Sequence, residues 1–254
     1  MAKPYLSLVV PVRNEAASLL QSLIAMDYAL SLAEYSSELI VVDDGSTDAT
    51  PEISEHFEKV MKTLRTVRKK RAEGSGAAIK TGMAAARGNV RMVLPTRCLG
   101  FLESRGEVMA ALRGGAGFVV GTRNRPYSRE PFGAVMRRVF RSAGNRLLCG
   151  KELTKFSDVC FGAFAMREEI AEWLFSFPEL SNGREGALEL FALAEGNGVS
   201  ITELSCERCG LCSFCGSMGE WLMLFFRSFR IRSRLRAKHY YRLPQSGSNA
   251  EVEV

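Results

Sequence analysis

At 254 residues, with 46% hydrophobic and 24% charged side chains, the chain has ordinary globular composition and the length for one large domain, which excludes a fibrous repeat or a wholly disordered polymer. Its net charge of +6 is local: Gly219 to Arg242 carries seven basic residues and one acid, and the remaining 27 basic and 27 acidic residues cancel. A basic segment beside an apolar one points to an anionic membrane surface and away from nucleic acid.

The N-terminal MAKPYLSLVV lacks the charge, apolar core and small-residue cleavage site of a signal peptide and runs straight into a strand. LSLVVPV from Leu6 is short, β-branched and ended by turn residues, as a buried parallel strand should be. A helix is predicted from Ala16 to Leu32, then a second strand, ELIVVDD from Glu38, and a second helix from Ala49 to Leu64. A helix from Ala77 to Ala86, the less apolar strand VRMVL from Val90, a helix from Glu103 to Leu112 and the strand GFVVGTR from Gly117 follow. Alternating strands and helices predict an α/β fold with a mostly parallel sheet and crossover helices, and such sheets bind ligands at the carboxyl ends of their strands.

Beyond Arg123 the expected order is a basic amphipathic helix around Phe132 to Leu148, a strand-like DVCFGAFAM, a helix to Phe175, a helix around Glu185 to Glu195, and the strand-like ITEL. Residues 1–218 should form the α/β domain, 219–242 a basic membrane-proximal helix and 243–254 a loose tail. No apolar stretch reaches the roughly 18 residues needed to span a bilayer. A cytosolic setting is therefore expected, with the seven cysteines mostly as thiols.

The first strand ends in Pro11-Val12-Arg13-Asn14-Glu15 and the second in Asp43-Asp44-Gly45-Ser46-Thr47-Asp48. Carboxylates at a strand end can accept from a base imide or ribose hydroxyl, and the following helix N-terminus favours phosphate. Alone, DDGST reads as a βα turn in which Asp48 caps a helix; it competes here against a second element that matches. GSGAAIKTGMAAARG from Gly74 has neither the last glycine of a dinucleotide fingerprint nor the GK[ST] of a P-loop.

VVPVRNE, then VVDDGSTDAT about thirty residues on, then GSGAAIKTGMAAARG together resemble family 2 glycosyltransferases, most of all the branch that makes dolichyl-phosphate glucose or dolichyl-phosphate mannose. The resemblance runs from about Leu6 to His239 and implies a GT-A fold, Rossmann-like, with Pro11, Arg13, Glu15, Asp43, Asp44 and Ser46 at the nucleoside of a nucleotide-sugar. It implies that Gly74, Ser75 and Gly76 approach the diphosphate. Ser75 stands where that branch carries a basic residue; Lys80 or the run Arg68 to Arg71 is a candidate for the charge.

In the family the fourth strand ends in an Asp-x-Asp motif that holds Mg²⁺ or Mn²⁺ against the diphosphate. Here those positions are Pro95, Thr96 and Arg97, which offer at most a hydroxyl and carbonyls to a hard cation. No metal ligand is therefore assigned. Two readings stay open: Arg97 as a fixed cation on the diphosphate, or a decayed site.

For the acceptor half, Gly121-Thr122-Arg123 matches the family's VGSR turn, Asp158 and Gly162 keep the spacing of D-x-x-x-G, and W-x-F-D-x-E-L becomes Arg184 to Leu190, with Ala187 for the Asp and Glu189 kept. The resemblance implies Arg123, Asp158 and Glu189 as catalytic candidates, with a polyprenyl phosphate acceptor at the cytosolic face of the endoplasmic reticulum. The alternative is a catalytically impaired member acting as a binding or scaffolding subunit. Cys206, Cys209, Cys212 and Cys215 stand apart, with zinc, an iron–sulfur cluster, palmitoylation or plain loop thiols as open readings. The helix bearing Trp221, Phe225, Phe226 and Phe229 should lie on a membrane.

Overall fold

The computed structural model describes residues 3–123, 162–183 and 185–206. Seven strands form one mixed sheet: β1 (Leu6–Val12), β2 (Ser37–Asp43), β3 (Leu64–Arg68), β4 (Val90–Val93), β5 (Phe118–Arg123), β6 (Phe164–Arg167) and β7 (Ile201–Cys206). Their order is β3-β2-β1-β4-β6-β5-β7. All are parallel except β6, which runs antiparallel to both β4 and β5. The expected mostly parallel α/β sheet is present.

The helices are α1 (Ala16–Ser31), α2 (Thr50–Val60), α3 (Ser75–Ala85), α4 (Leu99–Glu103), α5 (Arg105–Arg113), α6 (Glu168–Phe175) and α7 (Glu185–Gly196). Alternation along β1 divides the core. Leu6, Leu8, Val10 and Val12 pack with Leu19, Leu23, Met26, Phe57, Phe101 and Met109 on one face of the sheet. Val9, Ile40 and Val42 pack with Ala78, Met83, Trp173 and Phe191 on the other. Side chains in a strand point to opposite faces, so this is a three-layer sandwich with the sheet in the middle.

One expectation along the chain is corrected and one is extended. The helix expected to run to Leu64 stops at Val60, and Leu64–Arg68 is the edge strand β3, paired with β2 through Leu39↔Leu64 and Val42↔Val67. Its LRTVR alternates because one edge strand buries only part of each face, which hides it from a search for apolar runs. The helix expected from Glu103 to Leu112 is present as α5, and the unexpected short helix α4 precedes it, the two meeting at Ser104. Residues 124–161 and 207–254 lie outside the described residues, and with them the expected helix at Phe132 to Leu148, Asp158, three of the four clustered cysteines, the basic helix and the tail. Cys206 is in the hydrophobic core at the end of β7, unlike a loop thiol.

Opposite the carboxyl edge, Glu38 at the start of β2 gathers a buried cluster. Its Oε1 accepts from the Ser7 hydroxyl at 2.6 Å and the Arg87 backbone N–H at 2.8 Å, while Oε2 accepts from Arg65 at 2.9 Å and Arg87 at 3.0 Å. Burial alone would raise this carboxyl, but the Ser7 and Arg87 hydrogen bonds and the Arg65 charge outweigh it and hold it below its ordinary value. A lowered folded-state value stabilises the fold above the unfolded value, roughly 4.3, and that contribution is lost as pH falls through the folded value. Glu38→Gln should thus lower the thermal midpoint at pH 7, and the gap to the parent should narrow below about pH 4. Unfolding curves from pH 7 to 3 check this; a gap independent of pH would contradict it.

Candidate functional site

The chain goes outward from β1 to β2 and β3, then crosses to β4 on the other side of β1. That reversal leaves a crevice between the carboxyl ends of β1 and β4, where ligands of open α/β sheets bind. Three loops meet there: residues 13–15 after β1, 44–49 after β2, and 94–98 after β4.

The first two loops are knitted together. Asn14, in the left-handed region at φ 52°, donates its N–H to Ser46 Oγ at 2.9 Å and accepts from Thr47 N–H at 2.9 Å. Asparagine tolerates this conformation better than other non-glycine residues. Glu15 N–H donates to Thr50 Oγ1 at 2.9 Å. No side chain within α1 caps its start, and the Ala16 N–H donates instead to Asp48 Oδ2 at 3.1 Å, across the loops. Asp48 also accepts from its own α2 start, the Thr50 N–H, at 3.0 Å. Partial desolvation works upward on the Asp48 carboxyl, and the hydrogen bonds from Thr50 and Ala16 override it to hold the value low. Asp48 is therefore a cap, serving two helices at once.

Asp43 and Asp44 are both buried, at 0% and 2% exposure. Asp43 Oδ1 accepts from the Ser46 N–H at 2.9 Å and from its hydroxyl, and Oδ2 lies 3.6 Å from Arg68 Nε. Asp44 Oδ1 accepts from the Glu73 N–H at 3.0 Å and Oδ2 from the Gly74 N–H at 2.8 Å, with Lys69 Nζ 3.4 Å away. The pair thus fixes the turns around it, and Asp44 in particular sets the entry to α3. Lys69 itself is also bound by Glu73, at 2.8 Å.

At the start of α3, Gly74 has φ 110°, and a Cβ there would come 2.5 Å from the Asn182 carbonyl oxygen. A Cβ on Gly76 would overlap the Ser181 carbonyl. Both glycines therefore admit the 180–183 loop onto the first turn of the helix. Ala77 N–H donates to Asn182 O at 3.1 Å; Lys80 donates to the Leu180 carbonyl and, at 3.0 Å, to Asn182 Oδ1. Glu189, fully buried on α7, accepts from the Ser181 N–H at 2.7 Å and anchors the same loop. Ala187 beside it is also buried.

Pro95, Thr96 and Arg97 form the turn after β4. Thr96 is 2% exposed; its hydroxyl donates to Glu15 Oε2, and its carbonyl accepts from Ser22 Oγ at 3.1 Å. The Pro95 carbonyl accepts from the Cys98 N–H at 2.9 Å. Arg97 is exposed at the rim, as is Arg13, and Pro11 is half-buried. Sequence reasoning missed the Thr96–Glu15 link and the 180–183 loop, since both join residues far apart in the chain.

A divalent cation of the Mg²⁺ or Mn²⁺ kind needs several converging oxygen ligands. The residues present do not fit one: the Thr96 hydroxyl and the Pro95 and Thr96 carbonyls are used within the protein, as are Glu15 Oε2 and both oxygens of Asp44, and Asp43 is wholly buried beside Arg68. Among the described residues no group of three or more His, Cys, Asp or Glu side chains converges.

On the acceptor side, Arg123 is the last residue of β5 and so stands at the same carboxyl edge as the crevice. Gly121–Arg123 closes β5, as the strand reading of GFVVGTR expected, and pairs with Leu204–Cys206 of β7. No helix among the described residues is long and apolar enough to cross a membrane.

The chain resembles several known proteins. Glycosyltransferase AglE of Haloferax volcanii is 32% identical over 95 residues, which cover 37% of this chain and 31% of that relative. The match thus spans less than a third of the relative's length. Among solved structures, glucosyl-3-phosphoglycerate synthase from Mycobacterium tuberculosis in complex with Mn²⁺ and UDP-glucose superposes with a TM-score of 0.68 at 19% identity, covering 96% of this chain and 81% of that one. The same enzyme with phosphoglyceric acid gives 0.67 at 20% identity, over 96% and 82%. Identity this low speaks for the fold, a GT-A sheet. The model of the glycosyl transferase family 2 matches residues 7–175, and on that match over well more than half its length the chain belongs to this family.

Proposed function

We propose that the chain transfers a hexose from a nucleotide-sugar, UDP-glucose or GDP-mannose, to a polyprenyl phosphate such as dolichyl phosphate, as a peripheral protein on the cytosolic face of the endoplasmic reticulum. The observation that carries the reading is the convergence of the β1, β2 and β4 carboxyl ends on one crevice whose loops are locked to each other. Pro11, Arg13 and Glu15 line the nucleoside; Asp43, Asp44 and Ser46 hold their loops from beneath; Gly74, Ser75, Gly76 and Arg97 serve the diphosphate. Arg123, Asp158 and Glu189 belong to the acceptor half, with Glu189 acting through the 180–183 loop it anchors.

An acceptor phosphate is already ionised, so its oxygen can attack the anomeric carbon as the bond to the diphosphate oxygen breaks, with inversion and departure of the nucleoside diphosphate. Such a step asks for positioning and stabilisation of the leaving group more than for a strong base. The seven basic residues between Arg227 and Arg242 favour an anionic bilayer, at about 1 kcal/mol each.

A second reading, a nucleotide-sugar-binding or scaffolding subunit without turnover, is favoured by Pro95, Thr96 and Arg97 together with the buried Ala187. Transfer of radiolabelled hexose from UDP-glucose or GDP-mannose into vesicles containing dolichyl phosphate decides between them. Labelled lipid is the expected result. Nucleotide binding without transfer from either donor would sink the first reading and leave the second.

A further inference from the structure

We propose that the donor site works without a divalent cation, because Thr96 and Arg97 divide between them what a bridging ion would do. This rests on reading the crevice as a nucleotide-sugar site. Thr96 is the positioning residue. Its hydroxyl holds Glu15 Oε2, and its carbonyl ties the turn to α1 through Ser22 at 3.1 Å, so the loops after β1 and β4 are closed on each other by protein groups. With Oε2 taken by Thr96, Oε1 of Glu15 is left for a hydroxyl of the nucleoside.

Arg97 supplies the charge. It follows Thr96 directly, is exposed at the crevice rim, and carries a planar guanidinium that pairs with phosphate oxygens through two parallel hydrogen bonds. Of the other cations near the strand ends, Lys69 is bound to Asp44 and Glu73 and Lys80 to Leu180 and Asn182, while Arg13, exposed after β1, is assigned to the nucleoside. Arg68 faces Asp43 and Glu55, at 3.6 and 3.9 Å. A carboxylate pair at positions 95 and 97 would need a metal to face a diphosphate at all. A proline and an arginine there remove that need.

The test is calorimetric titration of the full chain with UDP, GDP, uridine and guanosine, each in EDTA and in Mn²⁺. The expected dissociation constants of the diphosphates agree in the two buffers within about two-fold, and Arg97→Gln weakens the diphosphates about ten-fold or more while leaving the nucleosides unchanged. Thr96→Val, by freeing Glu15, should weaken nucleosides and nucleoside diphosphates alike, which a merely structural change on an intact fold would not split from the Arg97 pattern. Pro95→Asp with Arg97→Asp should convert diphosphate binding to dependence on Mn²⁺. Diphosphate binding that appears only with Mn²⁺ in the parent chain would overturn the proposal and leave the nucleotide-sugar reading standing. An Arg97→Gln chain that binds UDP and GDP like the parent would overturn it too. Absence of nucleotide binding in both buffers would overturn both together.

Discussion

Asp44→Ala is expected to cost about 2–4 kcal/mol of folding stability, because the change removes a buried charged acceptor from two backbone N–H groups, those of Glu73 and Gly74. Hydrogen bonds to a charged acceptor are the strong ones, and this pair fixes the turn that enters α3. Lys69 would keep only Glu73 of its two acidic neighbours. The same substitution should weaken nucleoside diphosphate binding by about ten-fold or more, since Gly74 to Gly76 lose the turn that aims them. Asp44→Asn, which keeps one carbonyl acceptor, should fall between the two in both thermal midpoint and affinity. A variant with parent stability but lost affinity would instead mean that Asp44 touches the ligand itself.

Phe118→Ala should be of similar or greater cost to stability and silent in binding. Phe118 is fully buried at the start of β5, with ring centroids 5.4 Å from Phe164 and 5.1 Å from Phe191. Removing the ring takes away its transfer energy and leaves a cavity between β6 and α7, about 3–5 kcal/mol in total. For a domain of this size each kcal/mol is worth roughly 2–4 °C in the thermal midpoint. Because β5 begins on the edge opposite the crevice, nucleotide affinity measured well below that midpoint should equal the parent's. Scanning calorimetry gives the first number and titration the second.

The parts of the fold legible in the sequence are those where local chemistry decides the outcome. LSLVVPV and ELIVVDD could only be buried strands, and Pro51 in the first turn of α2, where its missing N–H is no loss, marks that helix start. The edge strand Leu64–Arg68 was hidden by its charges, which one half-exposed edge permits. At the site, the strand ends and their loop residues were legible, whereas their roles depended on partners far away. Gly74 and Gly76 read from sequence as room for a diphosphate; the structure has them also making room for Ser181 and Asn182. Asp48 read as a cap on the following helix, and the structure has it accept from the N–H groups of both Thr50 in α2 and Ala16 in α1. The Thr96–Glu15 link joins residues 81 positions apart and leaves no local signature.

The hydrogen bonds between the loops after β1 and β2 also say why these loops should be rigid before any ligand arrives. Asn14, Glu15, Ser46, Thr47 and Asp48 exchange backbone and side-chain bonds between two loops, so their ordering is completed by folding and need not be supplied by binding. A site of this kind favours positioning over induced closure.

The most direct measurement is a crystal structure of the chain with UDP or GDP bound. The diphosphate is expected at the carboxyl edge between β1 and β4, within reach of Arg97 and the start of α3, with Glu15 held by Thr96 and no cation ligated by side chains of the crevice. A nucleotide bound away from that edge, or one bridged to the protein by a cation held on the Pro95–Arg97 turn, would contradict it.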